Sequence, residues 1–161
     1  MENEIKKRVL AIDPSIRKTG WAVVEDGQVI TYGTIKTTAK QYNLDRMIYI
    51  ARELKAIFVS KQCEFAVIEK LPVFRENSAK TIEVLMGLYY HINIEFWKRK
   101  WLVVEVAPST WKKHCGIEGK KRAEQKVNSI EHVKKYHKLE VTDDEADAIC
   151  LGEYGCEMIL E

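Results

Sequence analysis

Two apolar runs in the chain close on an acid: residues 9–12 lead into Asp13, and residues 65–68 lead into Glu69. Short apolar runs bounded by turn signals read as strands buried on both faces. Such a strand has no structural use for a carboxylate at its end. A third group of acids lies in "VTDDEADAICLGEYG", where Thr142 with Glu145 three residues on forms a capping box and starts a helix. Acids in a first turn suit the helix dipole, which accounts for Asp143 and Asp144. It does not account for Asp147, which follows that turn beside Ala146, Ala148 and Ile149. Asp144 and Asp147 stand three apart on one helix face, and periodicity alone leaves Asp143 open as the alternative to Asp144. Carboxylates brought together repel until one takes up a proton or a cation enters. Oxygen-only ligands suit Mg²⁺ or Mn²⁺.

These acids need a frame to position them. After the first strand, "TGWAVVEDGQVITYGTIK" reads as a β-hairpin turning at Asp26-Gly27, with Gly20 expected to let the hairpin leave closely and keep the acids open to a ligand. Helical spacing over residues 44–61 places Leu44, Met47, Ile48, Ala51, Leu54, Ile57 and Phe58 on one stripe, with Asn43 as N-cap. The strand 65–70 follows, then a long helix over 77–97 with Ala79, Ile82, Leu85, Met86, Tyr89 and Ile92 apolar, and a strand ended by Pro108. A short helical piece around "STWKKH", a loop "GIEGKK" and helices near 121–137 and 142–159 complete the chain. This order predicts one α/β domain over 1–161, a mixed sheet with helices on its faces.

Composition limits the alternatives. Hydrophobic residues at 46% and charged residues at 31% describe a globular chain, and no apolar run reaches the about 18 residues that span a bilayer. With a charged N-terminus, the expectation is a cytoplasmic protein that does not enter membranes. The cysteines (Cys63, Cys115, Cys150, Cys156) form no CxxC pair and the histidines are scattered, so no zinc site is expected. Residues 98–126 carry nine Lys or Arg against three Glu, a net +6 in a chain whose total is +2. A local excess of that size is the footprint of a polyanion or a solvated basic face.

The segments "VLAIDPSIRKTGWAVV", "FAVIEKL", "VEVAPSTWKK" and "DDEADAI" resemble, in order, the signature segments of the RuvC-type Holliday junction resolvases of the ribonuclease H-like superfamily. The resemblance implies a five-stranded ribonuclease H-like sheet and metal-dependent hydrolysis of branched DNA in recombination and replication. It makes Asp13, Glu69, Asp144 and Asp147 the catalytic, metal-binding acids of a two-ion Mg²⁺ or Mn²⁺ site. Lys112 falls near the cleaved phosphate, with Lys113, Lys120, Lys121 and Lys126 as further DNA contacts. The loop at 116–121 is one or two residues longer than the pattern, so the second basic position is open among Lys120, Lys121 and Lys126. Phe74 is the candidate aromatic wedge against unstacked bases, although Pro72 interrupts the family's spacing there. The helix 77–97 would form a homodimer interface, and its stripe fits its own sheet equally well. The divergent loops suit a phage-type member, at work on the nucleoid or in a phage-infected bacterial cell. The competing readings are a ribonuclease H-like enzyme acting on structured RNA or RNA–DNA hybrid, an actin-like phosphate-binding lobe, and a silent DNA-binding module.

Overall fold

The computed structural model describes residues 7–71 and 78–159. Three strands, β1 (Arg8–Asp13), β2 (Lys18–Glu25) and β3 (Gln28–Lys36), form an antiparallel meander. Asp26 and Gly27 make its tight turn at φ 49° and 78°, the left-handed conformation their residue types favour. The helix α1 (Asn43–Ser60) leads to β4 (Phe65–Glu69), which pairs parallel to β1. The helix α2 (Ala79–Trp97) leads to β5 (Leu102–Val106), parallel to β4. The sheet order is β3-β2-β1-β4-β5. Three helices end the chain: α3 (Pro108–His114), α4 (Arg122–His137) and α5 (Asp143–Met158).

Strand alternation divides the core into two layers. Leu10, Ile12, Ala66 and Ile68 face α1 and α2, packing with Ile50, Leu54, Leu88, Ile92 and Phe96. Val9, Ala11, Phe65 and Val67 face the other way, onto Trp111, Val133 and the small, apolar side of α5. Helix α5 lies very close to the sheet, because a Cβ on Gly152 would meet Val24 at 2.5 Å.

The helical stripes differ from those expected. On α1, Leu44 and Ile48 are exposed, while Ile50 and Arg46 are buried with Ala51, Leu54 and Phe58. Asn43 is not the cap. Tyr42 holds that position, and the Asn43 amide oxygen accepts from Arg46 Nη1 at 3.1 Å instead. The Arg46 guanidinium also donates to Thr37 Oγ1 and to the Ile16 carbonyl, at 2.7 and 3.3 Å. On α2 the buried residues are Leu88, Tyr89, Ile92 and Phe96, so the helix packs through its C-terminal half and leaves Ala79 and Met86 exposed. Its cap is Ser78, whose hydroxyl accepts from the Thr81 amide; Phe74 and Asn77 lie outside the described residues. The α5 capping box forms as read: Thr142 Oγ1 accepts from the Glu145 amide and Glu145 Oε1 from the Thr142 amide. Among the described residues no helix is long and apolar enough to cross a membrane.

Candidate active site

Asp13 and Glu69 end neighbouring parallel strands, one step beyond the Ile12–Ile68 pair. Alternation puts both side chains on the α5 face, in line with Val9, Ala11, Phe65 and Val67. The loop that leaves Asp13 is tied at once: Thr19 Oγ1 donates to the Ser15 carbonyl at 2.6 Å and accepts from the Ser15 amide at 3.2 Å. The first turn of α5 then rests on β2 at Gly20. A Cβ there would lie 2.2 Å from the Asp144 carbonyl oxygen. Gly20 therefore serves helix docking, not the exit of the hairpin. Its bare backbone admits the turn that delivers Asp144 and Asp147.

Asp13, Glu69, Asp144 and Asp147 thereby line one cleft of about 330 Å³, with Asp143, Lys112, Lys120, Arg122 and Lys126 also on its wall. The electrostatics follow from that convergence. Burial, then the carboxylates of Glu69, Asp147 and Asp144, push Asp13 well above the usual carboxylate range. Burial raises Glu69 to about 7 against the hydrogen bond that Trp111 Nε1 donates to its Oε2 at 2.7 Å. Burial likewise lifts Asp147 to about 6, opposed by a hydrogen bond from Ser129 and by the Lys112 charge. Asp144 is raised by burial and by the adjacent Asp143. Asp143 differs in kind: Lys126 Nζ lies 2.7 Å from its Oδ2 and holds it below the usual range. Asp143 and Asp144 both stand on the cleft wall, Asp143 paired with Lys126 and Asp144 adding to the field that raises Asp13. Hard, anionic oxygens gathered on one cleft wall are ligands of the kind a divalent cation takes.

Lys112 projects from α3 beside the acids, its Nζ donating to Gln125 Oε1 at 3.0 Å and lying 5.4 Å from the Trp111 ring centre. Lys120 and Lys126 line the cleft as well, whereas Lys113 and Lys121 are exposed and take no part in its wall. Sequence reasoning missed the residues that surround this set: Trp111 on Glu69, Gln125 on Lys112, Arg122 as a further cation in the wall, and the buried Ser129, whose pKa-lowering influence reaches Asp147. Ser129 carried one signal, a polar residue fully buried one turn from Val133 on α4. Elsewhere, the fold joins side chains that the sequence scatters. The Sγ atoms of Cys115 and Cys150 and a ring nitrogen of His132 lie within 4.8 Å of one another. Packing of α3, α4 and α5 achieves what no CxxC spacing announces.

The family model of crossover junction endodeoxyribonuclease RuvC matches residues 9–152. The chain belongs to the RuvC family. The RuvC of Rickettsia prowazekii is 31% identical over 158 residues, covering 92% of this chain and 95% of its own. That of Prochlorococcus marinus strain SARG is 26% identical, over 91% and 96%. Among solved structures, Thermus thermophilus RuvC in complex with Holliday junction substrate superposes with a TM-score of 0.78 at 14% identity, over 96% of both chains. The yeast mitochondrial Holliday junction resolvase Ydc2 does so with 0.63 at 14%, over 93% of this chain and 78% of its own. The fold is thus ribonuclease H-like, a mixed five-stranded sheet flanked by helices on both faces. Membership makes the chain a crossover junction endodeoxyribonuclease of the metal-dependent RuvC type.

Proposed function

We propose that this protein is a structure-specific DNA endonuclease that cuts Holliday junctions, and other branched DNA, by phosphodiester hydrolysis. The observation that carries the reading is the convergence of Asp13, Glu69, Asp144 and Asp147 on one cleft rimmed by lysine and arginine. As the four metal-binding acids, they would hold two Mg²⁺ or Mn²⁺ ions. Such a pair activates water and stabilises the leaving oxygen when bound. Asp13 and Glu69 supply the rigid wall, since both sit on strands buried in the sheet. Trp111 orients the Glu69 carboxylate, which keeps it to the tolerance such a site needs. Lys112, steadied by Gln125, offers its ammonium to the scissile phosphate and to the charge that grows on it. Lys120 and Lys126 on the cleft wall, with Lys113 and Lys121 outside it, bind the DNA backbone without reading sequence. Phe74 is the proposed stacking residue at the crossover.

Two strands of a junction are cut by two sites, and α2 offers the surface that pairs them. Met86, Tyr90, Ile94 and Trp97, at helical spacing, are 43%, 53%, 50% and 79% exposed on the side away from the sheet. A second copy of the chain covers that stripe in this reading, giving a homodimer. Its workplace is the bacterial cytoplasm, on the nucleoid or on phage DNA. The ribonuclease alternative is not favoured by the family membership.

The test is a labelled four-way junction, offered beside linear duplex and RNA–DNA hybrid in Mg²⁺ and in Mn²⁺, to the wild type and Asp147→Asn. The wild type cuts the junction first, and the variant binds it without cutting. Intact junction in both metals, or preferential loss of the hybrid, overturns the reading.

A further inference from the structure

Outside the cleft, the densest group of metal-ligating side chains lies between the ends of three helices. Cys115 caps the C-terminus of α3, His132 sits in α4, and Cys150 and Glu153 sit in α5. We propose that Cys115, His132 and Cys150, with Glu153 as fourth ligand, form a structural zinc site that ties α3, α4 and α5 together beneath the catalytic cleft.

The geometry carries this. The two Sγ atoms and the imidazole nitrogen fall within 4.8 Å of one another. A tetrahedral ion at about 2.3 Å from sulfur and about 2.0 Å from nitrogen sets its ligands roughly 3.4–3.8 Å apart, a small inward rotation away. Glu153 Oε2 is 3.5 Å from Cys115 Sγ and 2.9 Å from His132 Nε2 but is not among the atoms that lie within 4.8 Å of one another, so it must move toward Cys150 to complete the set. Tetrahedral geometry puts sulfur and oxygen about 3.5 Å apart, and nitrogen and oxygen about 3.3 Å. The other carboxylate oxygen is held by His137 Nε2, the outer partner that orients a ligand.

Ligand chemistry separates this site from the cleft. Thiolate and imidazole select zinc, where carboxylates alone select Mg²⁺ or Mn²⁺. Two thiolates and a carboxylate, largely shielded from water, need a dication to balance them. Access is provided by a surface cleft of about 500 Å³ lined by Cys115, His132, His137 and Glu153.

The position gives the site a purpose. Two of the ligands stand three residues beyond a cleft residue on the same helix or at its cap, Cys115 beyond Lys112 and Cys150 beyond Asp147, and His132 stands one turn of α4 beyond the buried Ser129. An ion joining the three ligands fixes the mutual spacing of the three elements just under one turn from the acids and the lysine. It is a positioning element for the site, with no contact to substrate.

Untagged protein, purified in reductant and dialysed with Zn²⁺ alone, is assayed by elemental analysis and by Co²⁺ substitution. The expected result is one zinc per chain and, with Co²⁺, a thiolate-to-cobalt charge-transfer band with intense tetrahedral d–d bands. Asp147→Asn, in the cleft, retains the zinc; Cys115→Ser, at a half-exposed position, loses it and also the rise in Tm that zinc gives the wild type. Should Cys115→Ser fail to fold, the wild-type cobalt spectrum decides alone. No charge-transfer band in the reduced wild type, or a Cys115–Cys150 disulfide in protein that takes up no zinc, overturns the proposal. None of these readouts depends on DNA cleavage.

Discussion

Glu69 lets the tension between stability and function be measured. Its carboxyl is raised from 4.5 to about 7, mainly by burial, with Asp147 adding and the Trp111 hydrogen bond subtracting. A raised acid keeps its proton in the folded state after the unfolded chain has released it. Stability therefore falls as pH rises from about 4.5 to about 7 and stays low above that. The shift corresponds to about 3 kcal/mol. Glutamine keeps the shape and can still accept from Trp111 Nε1, but carries no charge to be penalised. Glu69→Gln should therefore stabilise the metal-free protein by about 3 kcal/mol at pH 8, or about 6–12 °C in Tm for a chain of this size, and by nearly nothing at pH 4.5. The assay is thermal unfolding of both proteins after identical chelation, from pH 4.5 to 8. Adding Mg²⁺ should raise the wild type and narrow the gap, because ligand binding to the folded state is itself stabilising. Junction cleavage by the variant should be abolished. Equal Tm differences at pH 4.5 and pH 8 would refute the burial argument, and wild-type cleavage by Glu69→Gln would remove this acid from the metal site.

Three further outcomes are expected. Gly20→Ala forces a methyl against the Asp144 carbonyl, so α5 must shift at its catalytic end; cleavage should fall at least about 100-fold while junction binding persists, measured by single-turnover cutting and gel shift. Trp111→Phe removes the donor to Glu69 Oε2 while keeping most of the ring, so half-maximal cleavage should need several-fold more Mg²⁺ at neutral pH, because the proton competes better for the carboxylate. Ile94→Glu places a charge in the exposed stripe of α2; sedimentation should find a monomer with unchanged helical content, and a dimer of full affinity would shift the proposed interface elsewhere.

Local chemistry explains why some of this could be read from one dimension. Apolar runs ending at Asp13 and Glu69, the turn at Asp26-Gly27 and the Thr142–Glu145 box are each decided within a few residues, and the structure contains all of them. The shared face of the two strand acids needed the structure, because both strands are buried on both sides and only the packed sheet shows that Val9 and Phe65 face α5. The stripes of α1 and α2 were harder. A helix with apolar residues on more than one side has several candidate faces, and only the sheet selected Ile50 over Ile48 and Leu88 over Met86. Longer range still, the pairing of Asp143 with Lys126 depended on where that lysine ends on α4. The need for Gly20 depended on a helix more than a hundred residues later in the chain. Cys115, His132 and Cys150 lie far apart in sequence, with no spacing rule between them, and meet because three helices pack on one face of the sheet. Periodicity and capping are properties of neighbouring residues and survive in a string of letters. The convergence of charge, thiol and imidazole is a property of packed elements, and it arises only when burial brings their faces together.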